Sequence, residues 1–543
     1  MSKKTSELTF LRIRRVKCDL SQPSCLKCLS TGRACDGYSE DPFALKTERT
    51  EIESTPDHKK FADKADGCDG LVLQNIGSFM ILPMNSSTQA EALCFFKDIS
   101  IKHLNGYRPC EPWRNTLMFF AQTVPAVRHA AIALALIHRD YLDRHSIHPN
   151  GRAYQPPALK DRLPDNAPLL HYNRAIHLLL NPESGDSAEV TAITLLVCYL
   201  FTCFDHLAGD HVQAVKHLHG GVALSRNIEN AQLNNCTSDN AQSSGIQAII
   251  DQVTKQICRL DMQAVMFLID WTPAHIQETF ISPLDSTFLS LDEAADHLQI
   301  LVAQVMRLRN TEQQMSPTGT MPPLPSSPKE IVLEQLETWS SRFETLLQQG
   351  SSPFESDLET DSVVSLLRLH YTIAWTLLSA YGPGREMEYD QFLLQFQQCV
   401  ALAGEVAAAH EQYSGSSKPA FTLEIGLLPV LYIIGAKCRH PGVRREVLRL
   451  LRLQRIQEAT WDSISTARVV ERVIEIEEGT AGEEQVVQYM DQIPVWRRIE
   501  ELSYKHIPRG QSVARLDITY TFCAREGMHT ESLMEERTES HIM

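Results

Sequence analysis

Four cysteines near the start of the chain have the spacing of metal ligands. Cys18, Cys25, Cys28 and Cys35 lie within the run LRIRRVKCDLSQPSCLKCLSTGRACDGY, in which the second and third form a Cys-x-x-Cys pair. Thiolates at this density hold structural zinc in small domains. We therefore expect these four side chains to bind zinc, the alternative being four unrelated reduced thiols.

A run of basic residues directly precedes the first of these cysteines. Arg12, Arg14, Arg15 and Lys17 fall within six positions. Such a cluster is suited to contacts with phosphate, although a solvated surface would have the same composition. Together with the cysteines, the run predicts a zinc-held DNA-binding module over residues 1–38.

Residues 11–38 resemble the fungal binuclear zinc-cluster transcription factors, in which six cysteines hold two zinc ions and a short basic helix enters the major groove. The four cysteines match the last four ligand positions of that family, and Pro23 matches its loop proline. The first cysteine pair is missing, because Leu8 and Leu11 stand where the family has thiolates. All four cysteines together would close at most one mononuclear site. A mispredicted first exon would explain why the basic pattern is kept while residues 1–10 do not fit.

The resemblance also implies roles for the basic residues. The basic helix would begin near Arg12. Arg14 and Arg15 match positions that read guanines of CGG-type half-sites, while Arg12 and Lys17 match phosphate contacts. The implied partners are double-stranded DNA, the RNA polymerase II transcription machinery and a second chain in a homodimer or heterodimer, and the implied location is the nucleus.

Charge and length separate this module from the rest of the chain. Residues 1–38 carry eight Lys and Arg against three Asp and Glu, a net charge of +5, whereas the whole 543-residue chain carries −16. A basic N-terminal module followed by an acidic remainder indicates a regulator that contacts nucleic acid only through that module. The remaining cysteines are scattered, and we expect reduced core thiols and no membrane partner.

Helical periodicity dominates the body and predicts an all-α fold of packed helices. We expect a flexible linker at 39–84, a helical regulatory domain at 85–510 with loops at 227–245 and 311–329, and a loosely ordered tail at 511–543 in which 516–522 forms a short extended piece. The predicted helices cover residues 90–99, 127–144, 169–180, 190–207, 213–226, 246–269, 291–308, 330–347, 362–380, 389–410, 421–437, 444–453, 461–477 and 484–504.

The body also resembles the fungal-specific regulatory region that follows the zinc cluster in that family. The resemblance is carried, in order, by segments at 93–100, 123–141, 171–180, 195–224 and 437–451. It implies a domain that modulates activation and has no assigned catalysis.

Motifs typical of enzymes occur without their context, and we expect no enzyme. His138-Arg139-Asp140 copies a kinase triplet inside a helical pattern, and the histidines at 206, 211, 217 and 219 lack metal-site spacing. Our first hypothesis is therefore a zinc-dependent, sequence-specific transcription regulator. The second is a regulator that has lost DNA binding and acts through protein contacts of its helical body. A third, ranked last because the sequence shows no site for it, is a helical enzyme or ligand sensor.

Overall fold

The computed structural model divides into two compact units, Met1–Gly67 and Cys68–Met543. It describes residues 10–11, 16–17, 81–83, 86–145, 166–181, 187–234, 244–268, 270–274, 287–315, 327–350, 358–380, 385–413, 420–453, 455–479, 487–509, 513–523 and 525–536.

In the first unit, the described residues form a short antiparallel pair. Strand β1 (Phe10–Leu11) lies beside β2 (Val16–Lys17), so that Leu11 faces Val16.

The second unit begins with a helical half built around one large apolar core. Its helices are amphipathic or apolar throughout, and they bury Trp113, Phe120, Leu200 and Phe204 almost completely. The elements are α1 (Ser87–Phe95), a π-helical turn (Phe96–Ser100), α2 (Ile101–Leu104), α3 (Glu111–Thr123), α4 (Pro125–His145), α5 (Ala167–Leu180), α6 (Ser187–Ala208), α7 (His211–Asn234), α8 (Ser244–Gln263) and a 3-10 turn (Ala264–Met266).

A second helical half surrounds a separate core that contains Trp339, Phe343 and Phe396. Polar caps fix where its helices begin: Ser290 Oγ accepts from Glu293 N at 3.2 Å. The elements are α9 (Leu291–Met315), α10 (Ser327–Gly350), α11 (Leu358–Ser379), a 3-10 segment (Arg385–Phe392), α12 (Leu393–Tyr413), α13 (Leu428–Lys437), α14 (Pro441–Leu453) and α15 (Ser463–Glu478).

A small sheet runs between the two cores. Strand β3 (Ala420–Thr422) pairs in parallel with β4 (Ile456–Glu458), which pairs antiparallel with β5 (Trp461–Asp462). Phe421 belongs to the first core and its neighbour Ala420 to the second. Side chains that alternate along β3 therefore join the two halves.

The last described residues form a three-stranded antiparallel sheet. It consists of β6 (Ile499–Arg509), β7 (Val513–Phe522) and β8 (Arg525–Glu536), with β7 in the centre. Leu516, Ile518 and Tyr520 alternate along β7 and pack with Val469 and Val473 of α15. Two short 3-10 turns, Met490–Gln492 and Val495–Arg497, precede the sheet.

This sheet corrects two sequence expectations. The prediction of a loosely ordered tail at 511–543 is wrong, because β7 and β8 occupy most of it; the extended piece predicted at 516–522 is part of β7. The helix predicted at 484–504 is wrong, because its last residues form β6. Pro494 interrupts a helix there, and pairing with a distant strand decides the conformation.

Other predicted boundaries differ from the observed ones by fewer residues. The loop expected at 227–245 begins later because α7 continues to Asn234, and the loop expected at 311–329 begins later because α9 continues to Met315. The helix predicted at 421–437 is a strand and a turn before it becomes helical at Leu428, next to Pro429 in the first turn. The linker at 39–84 lies outside the described residues except at 81–83, where Leu82 N donates to Gln122 O.

Two described helical stretches are long and apolar enough to cross a membrane by length and composition, Ala188–Ala208 and Glu386–His410. A bent pair, Glu111–Thr123 with Pro125–Arg144, would also pass as one broken span. In the structure, 72% of the Ala188–Ala208 window is buried within the protein.

Candidate functional site

Most residues predicted to contact zinc or DNA lie outside the described part of the chain. These are Cys18, Cys25, Cys28, Cys35, Arg12, Arg14 and Arg15. Lys17 is described, and it is opposite Phe10 in the antiparallel pair of β1 and β2. The backbone at Lys17 is therefore extended, which differs from the basic helix that the resemblance implies for this run.

Within the second unit, the described residues contain no group of three or more His, Cys, Asp or Glu side chains that could hold a metal ion. The kinase-like triplet is part of α4. His138 Nε2 lies 3.3 Å from His103 Nδ1, and His138 Nδ1 lies 3.0 Å from Ser100 Oγ. Burial lowers the pKa of His103 to about 4 and holds the pKa of His138 well below its ordinary range. Both rings are neutral at physiological pH and join α4 to the first helices of the unit.

Among the closely spaced histidines at 206–219, His217 also contacts side chains of neighbouring helices. His217 Nε2 lies 2.7 Å from the hydroxyl oxygen of Tyr172, which donates to Asp205 Oδ2 at 3.3 Å. Burial raises the pKa of Asp205 to about 7, although the Tyr172 hydrogen bond acts in the opposite direction. This contact links α5, α6 and α7.

The two helical halves meet at a buried carboxylate, Glu458 at the end of β4. Its Oε1 accepts from the Tyr107 hydroxyl at 2.6 Å and from Leu427 N at 2.9 Å. Its Oε2 accepts from Gly426 N at 2.9 Å and Leu428 N at 3.1 Å. Burial raises the pKa of Glu458, while these donors favour the charged form. The carboxylate therefore holds the start of α13 against Tyr107, and we call this arrangement the Glu458 hub.

A second carboxylate secures the other side of Tyr107. Glu424 Oε2 accepts from Tyr107 N at 2.8 Å and from Arg108 N at 3.0 Å. Gly426 lies against the Tyr107 ring so closely that a Cβ at this position would overlap the ring. Only glycine permits this approach, so segment 107–108 and segment 424–428 are packed as one joint.

Charged side chains beside this joint form a cluster between the halves. Arg108 and Arg259 both donate to Asp292 and Asp296, at distances of 2.6 to 3.1 Å, and Lys255 Nζ lies 2.7 Å from Asp292 Oδ2. Although burial opposes it, the Arg259 guanidinium holds the pKa of Asp292 well below its ordinary range. Burial also opposes ionisation of Asp296, but hydrogen bonds and charge from Arg259 and Arg108 lower its pKa. Both carboxylates are therefore ionised at neutral pH, and the cluster ties α8 to the first turns of α9.

Next to the joint and the cluster lies an apolar cavity. It opens to solvent, and about 850 Å³ of space free of atoms lies inside it and in front of its opening. Its walls come from segment 107–108, the end of α8 with its 3-10 turn, α9, α11, segment 424–425 and α13. Polar residues on the wall are Arg108, Gln263, Gln299, His370 and Glu424.

A second buried charge network supports the C-terminal sheet. Arg439 and Arg444 are fully buried and both donate to Glu477, and Arg439 Nη1 also donates to Glu386 Oε2 at 2.9 Å. Glu477 Oε1 accepts from Ile499 N at 2.7 Å, at the start of β6. Although burial opposes it, the two arginines hold the pKa of Glu477 below its ordinary value.

Sequence reasoning missed the hub, the cluster and the cavity. One signal was available, since Glu424 interrupts the most apolar stretch of the body, residues 420–436. A carboxylate in such a stretch is usually paired. Its partners, at 105–108, are more than 300 positions away in the sequence.

Comparison with known proteins gives two family matches. The sequence model described as the fungal specific transcription factor domain matches residues 94–475, and that of the fungal Zn(2)-Cys(6) binuclear cluster domain matches residues 12–42. The second match contains all four predicted zinc ligands and all four basic residues.

Two curated relatives are similar to the chain. It is 24% identical over 590 residues to the aspercryptin biosynthesis cluster-specific transcription regulator atnN of Emericella nidulans, with 88% of each chain covered. It is 25% identical over 214 residues to the transcription regulator lscL of Purpureocillium lilacinum, which covers 39% of this chain and 47% of that protein. No solved structure matches the chain.

Proposed function

We propose a function from one established fact: this chain belongs to the fungal-specific transcription factor family, whose domain spans residues 94–475. It is a transcription regulator with a zinc-cluster module at 12–42. In finer detail, we propose that it is a nuclear, zinc-dependent protein that binds DNA at CGG-type half-sites and regulates RNA polymerase II transcription.

The observation that carries this proposal is the coincidence of ligand spacing and basic charge within the zinc-cluster match. Four thiolates are the donor set of a closed tetrahedral zinc site, so Cys18, Cys25, Cys28 and Cys35 fit one zinc ion. They do not by themselves supply the six ligands of a two-zinc cluster. Zinc supplies the folding free energy of a module that is too small for a stable core.

The basic residues then divide into two roles. Arg14 and Arg15 read guanine, because a guanidinium donates two parallel bonds to O6 and N7, worth about 1–3 kcal/mol of discrimination. Arg12 and Lys17 contact phosphates, which position the module and make binding depend on salt.

Binding of the full-length protein to a CGG-containing duplex and to a scrambled duplex tests these roles. Arg15→Ala should lose affinity for the matched duplex by about 1–3 kcal/mol and approach equal binding of both. Lys17→Ala should weaken both duplexes alike and reduce the slope of log affinity against log salt by about one. Equal loss on both duplexes for Arg15→Ala would refute its assignment to guanine.

The missing first cysteine pair favours a second candidate function. In that case the chain has lost DNA binding and acts through protein contacts of its helical body, for instance by pairing with an intact relative. Sequencing the 5′ end of the native transcript separates the two. An in-frame upstream exon that supplies two cysteines three positions apart supports DNA binding, whereas a transcript that encodes Met1 as the start supports the second candidate.

A further inference from the structure

We propose that the apolar cavity between the two helical halves binds a neutral, largely apolar small molecule. The cavity is lined by six separate segments of the chain and opens to solvent, so that a small molecule can reach its walls. The walls combine hydrophobic side chains with a few fixed polar groups, which is the composition of such sites.

Methionines give part of the wall an adaptable surface. Met262, Met266 and Met306 line the cavity from the end of α8, its 3-10 turn and α9. Unbranched, polarisable thioethers adjust to ligands of different outline better than branched side chains do. A ligand there would touch elements of both halves, so that binding should stabilise their packed arrangement.

The two charged side chains on the wall, Arg108 and Glu424, already have hydrogen-bond partners within the protein, which argues for an uncharged ligand. Arg108 donates to Asp292 and Asp296, and Glu424 accepts from the backbone at 107 and 108. A charged ligand would have to displace these bonds or enter unpaired, and an unpaired buried charge is costly.

His370 supplies a place for one polar group of the ligand. Its Nε2 lies 2.8 Å from Gly426 O, and because a carbonyl oxygen only accepts, Nε2 carries the proton. Burial lowers the pKa of His370, so the ring is neutral and Nδ1 is an acceptor. No hydrogen-bond partner of Nδ1 is found in the described part of the chain. A ligand hydroxyl or N–H group matches this acceptor.

Titration of the full-length protein with Nile red, a neutral apolar fluorophore, tests the proposal. Val302 lines the cavity, and Val302→Phe adds a ring to its wall; Val364→Phe is the matched control, since Val364 packs on the same core outside the cavity. Val302→Phe should weaken Nile red binding by at least about tenfold, equivalent to about 1.4 kcal/mol, while Val364→Phe should bind as the native protein does. Equal binding by a folded Val302→Phe protein would overturn the proposal.

A second measurement on the native sequence does not depend on that variant. With methionine methyl groups labelled for NMR, Nile red should shift Met262, Met266 and Met306 and leave Met118, which lies in the first core, unchanged. Unshifted cavity methionines would refute the site even if the dye binds elsewhere.

Competition tests the chemical class of the ligand. Farnesol should displace Nile red at a concentration at least about tenfold lower than farnesoic acid at about pH 8, where the acid is ionised. Equal displacement by the acid would contradict a cavity selective for neutral ligands. None of these measurements involves DNA, so their outcome is independent of the proposed DNA-binding function.

Discussion

Replacing Glu458 by glutamine preserves the size of the side chain but removes its charge and one of its two acceptor oxygens. The four donors of the hub are Tyr107 Oη and the N–H groups of Gly426, Leu427 and Leu428. A glutamine amide would turn its NH₂ group toward two of them, so two buried donors would lose their acceptor.

The cost follows from the number of bonds lost. A hydrogen bond to a charged group contributes about 1.5–3 kcal/mol, so two lost bonds correspond to about 3–6 kcal/mol. Burial raises the pKa of Glu458, which means that a neutral side chain recovers part of the cost of burying a charge. We therefore expect a destabilisation near the lower value, about 3 kcal/mol.

Hydrogen exchange of the backbone amides at 426–428, followed by mass spectrometry, measures this loss where it occurs. A change of about 3 kcal/mol predicts exchange faster by about a hundredfold in Glu458→Gln. Glu446→Gln is the control, because Glu446 pairs with Arg449 on the exposed face of α14, and it should leave exchange at 426–428 unchanged. Unchanged protection at 426–428 in a folded Glu458→Gln protein would refute the role of the hub.

Three further substitutions have expected outcomes. Gly435→Ala should destabilise the protein by about 1–3 kcal/mol in urea unfolding, because the added Cβ would lie 2.5 Å from Val470 Cγ1. Adding Val470→Ala should recover part of this loss, and strictly additive free-energy changes for the two substitutions would contradict the contact. Arg439→Leu should cost about 3 kcal/mol, because it removes one of the two cationic partners of each buried carboxylate, Glu386 and Glu477. The exposed Arg449→Leu should cost less than about 1 kcal/mol, and equal thermal stability of the two variants would contradict this. The folded-state pKa of Asp205, about 7, lies above its ordinary value of 3.8, so its ionisation destabilises the fold as pH rises from about 4 to 7. Asp205→Asn should therefore gain stability relative to the native protein at about pH 8 but not at about pH 4, and a pH-independent difference would contradict this assignment.

The helical body could be predicted from local sequence because the period of apolar residues is a local signal. The helix predicted at 127–144 is observed as Pro125–His145, and that predicted at 362–380 as Leu358–Ser379. The C-terminal sheet could not be predicted in the same way. Its strands depend on pairing between residues such as Tyr504 and Ile518, and local periodicity does not report such partners.

The candidate sites also differ in whether a local sequence pattern reveals them. The cysteines and arginines of residues 12–35 form a compact motif, so their proposed chemistry can be predicted from the sequence. The Glu458 hub joins side chains 351 positions apart, and the cavity is lined from six separate segments. Neither has a local pattern, although the isolated Glu424 within an apolar stretch indicated that a buried polar contact was needed.

The most direct test of the central claim is the affinity of the full-length protein for a CGG-containing duplex and a scrambled duplex, measured with zinc bound and after zinc is removed by a chelator. We expect a preference for the matched duplex that is lost when zinc is removed and returns when zinc is restored. Equal affinity for both duplexes in the zinc-loaded protein would contradict a zinc-dependent, sequence-specific regulator.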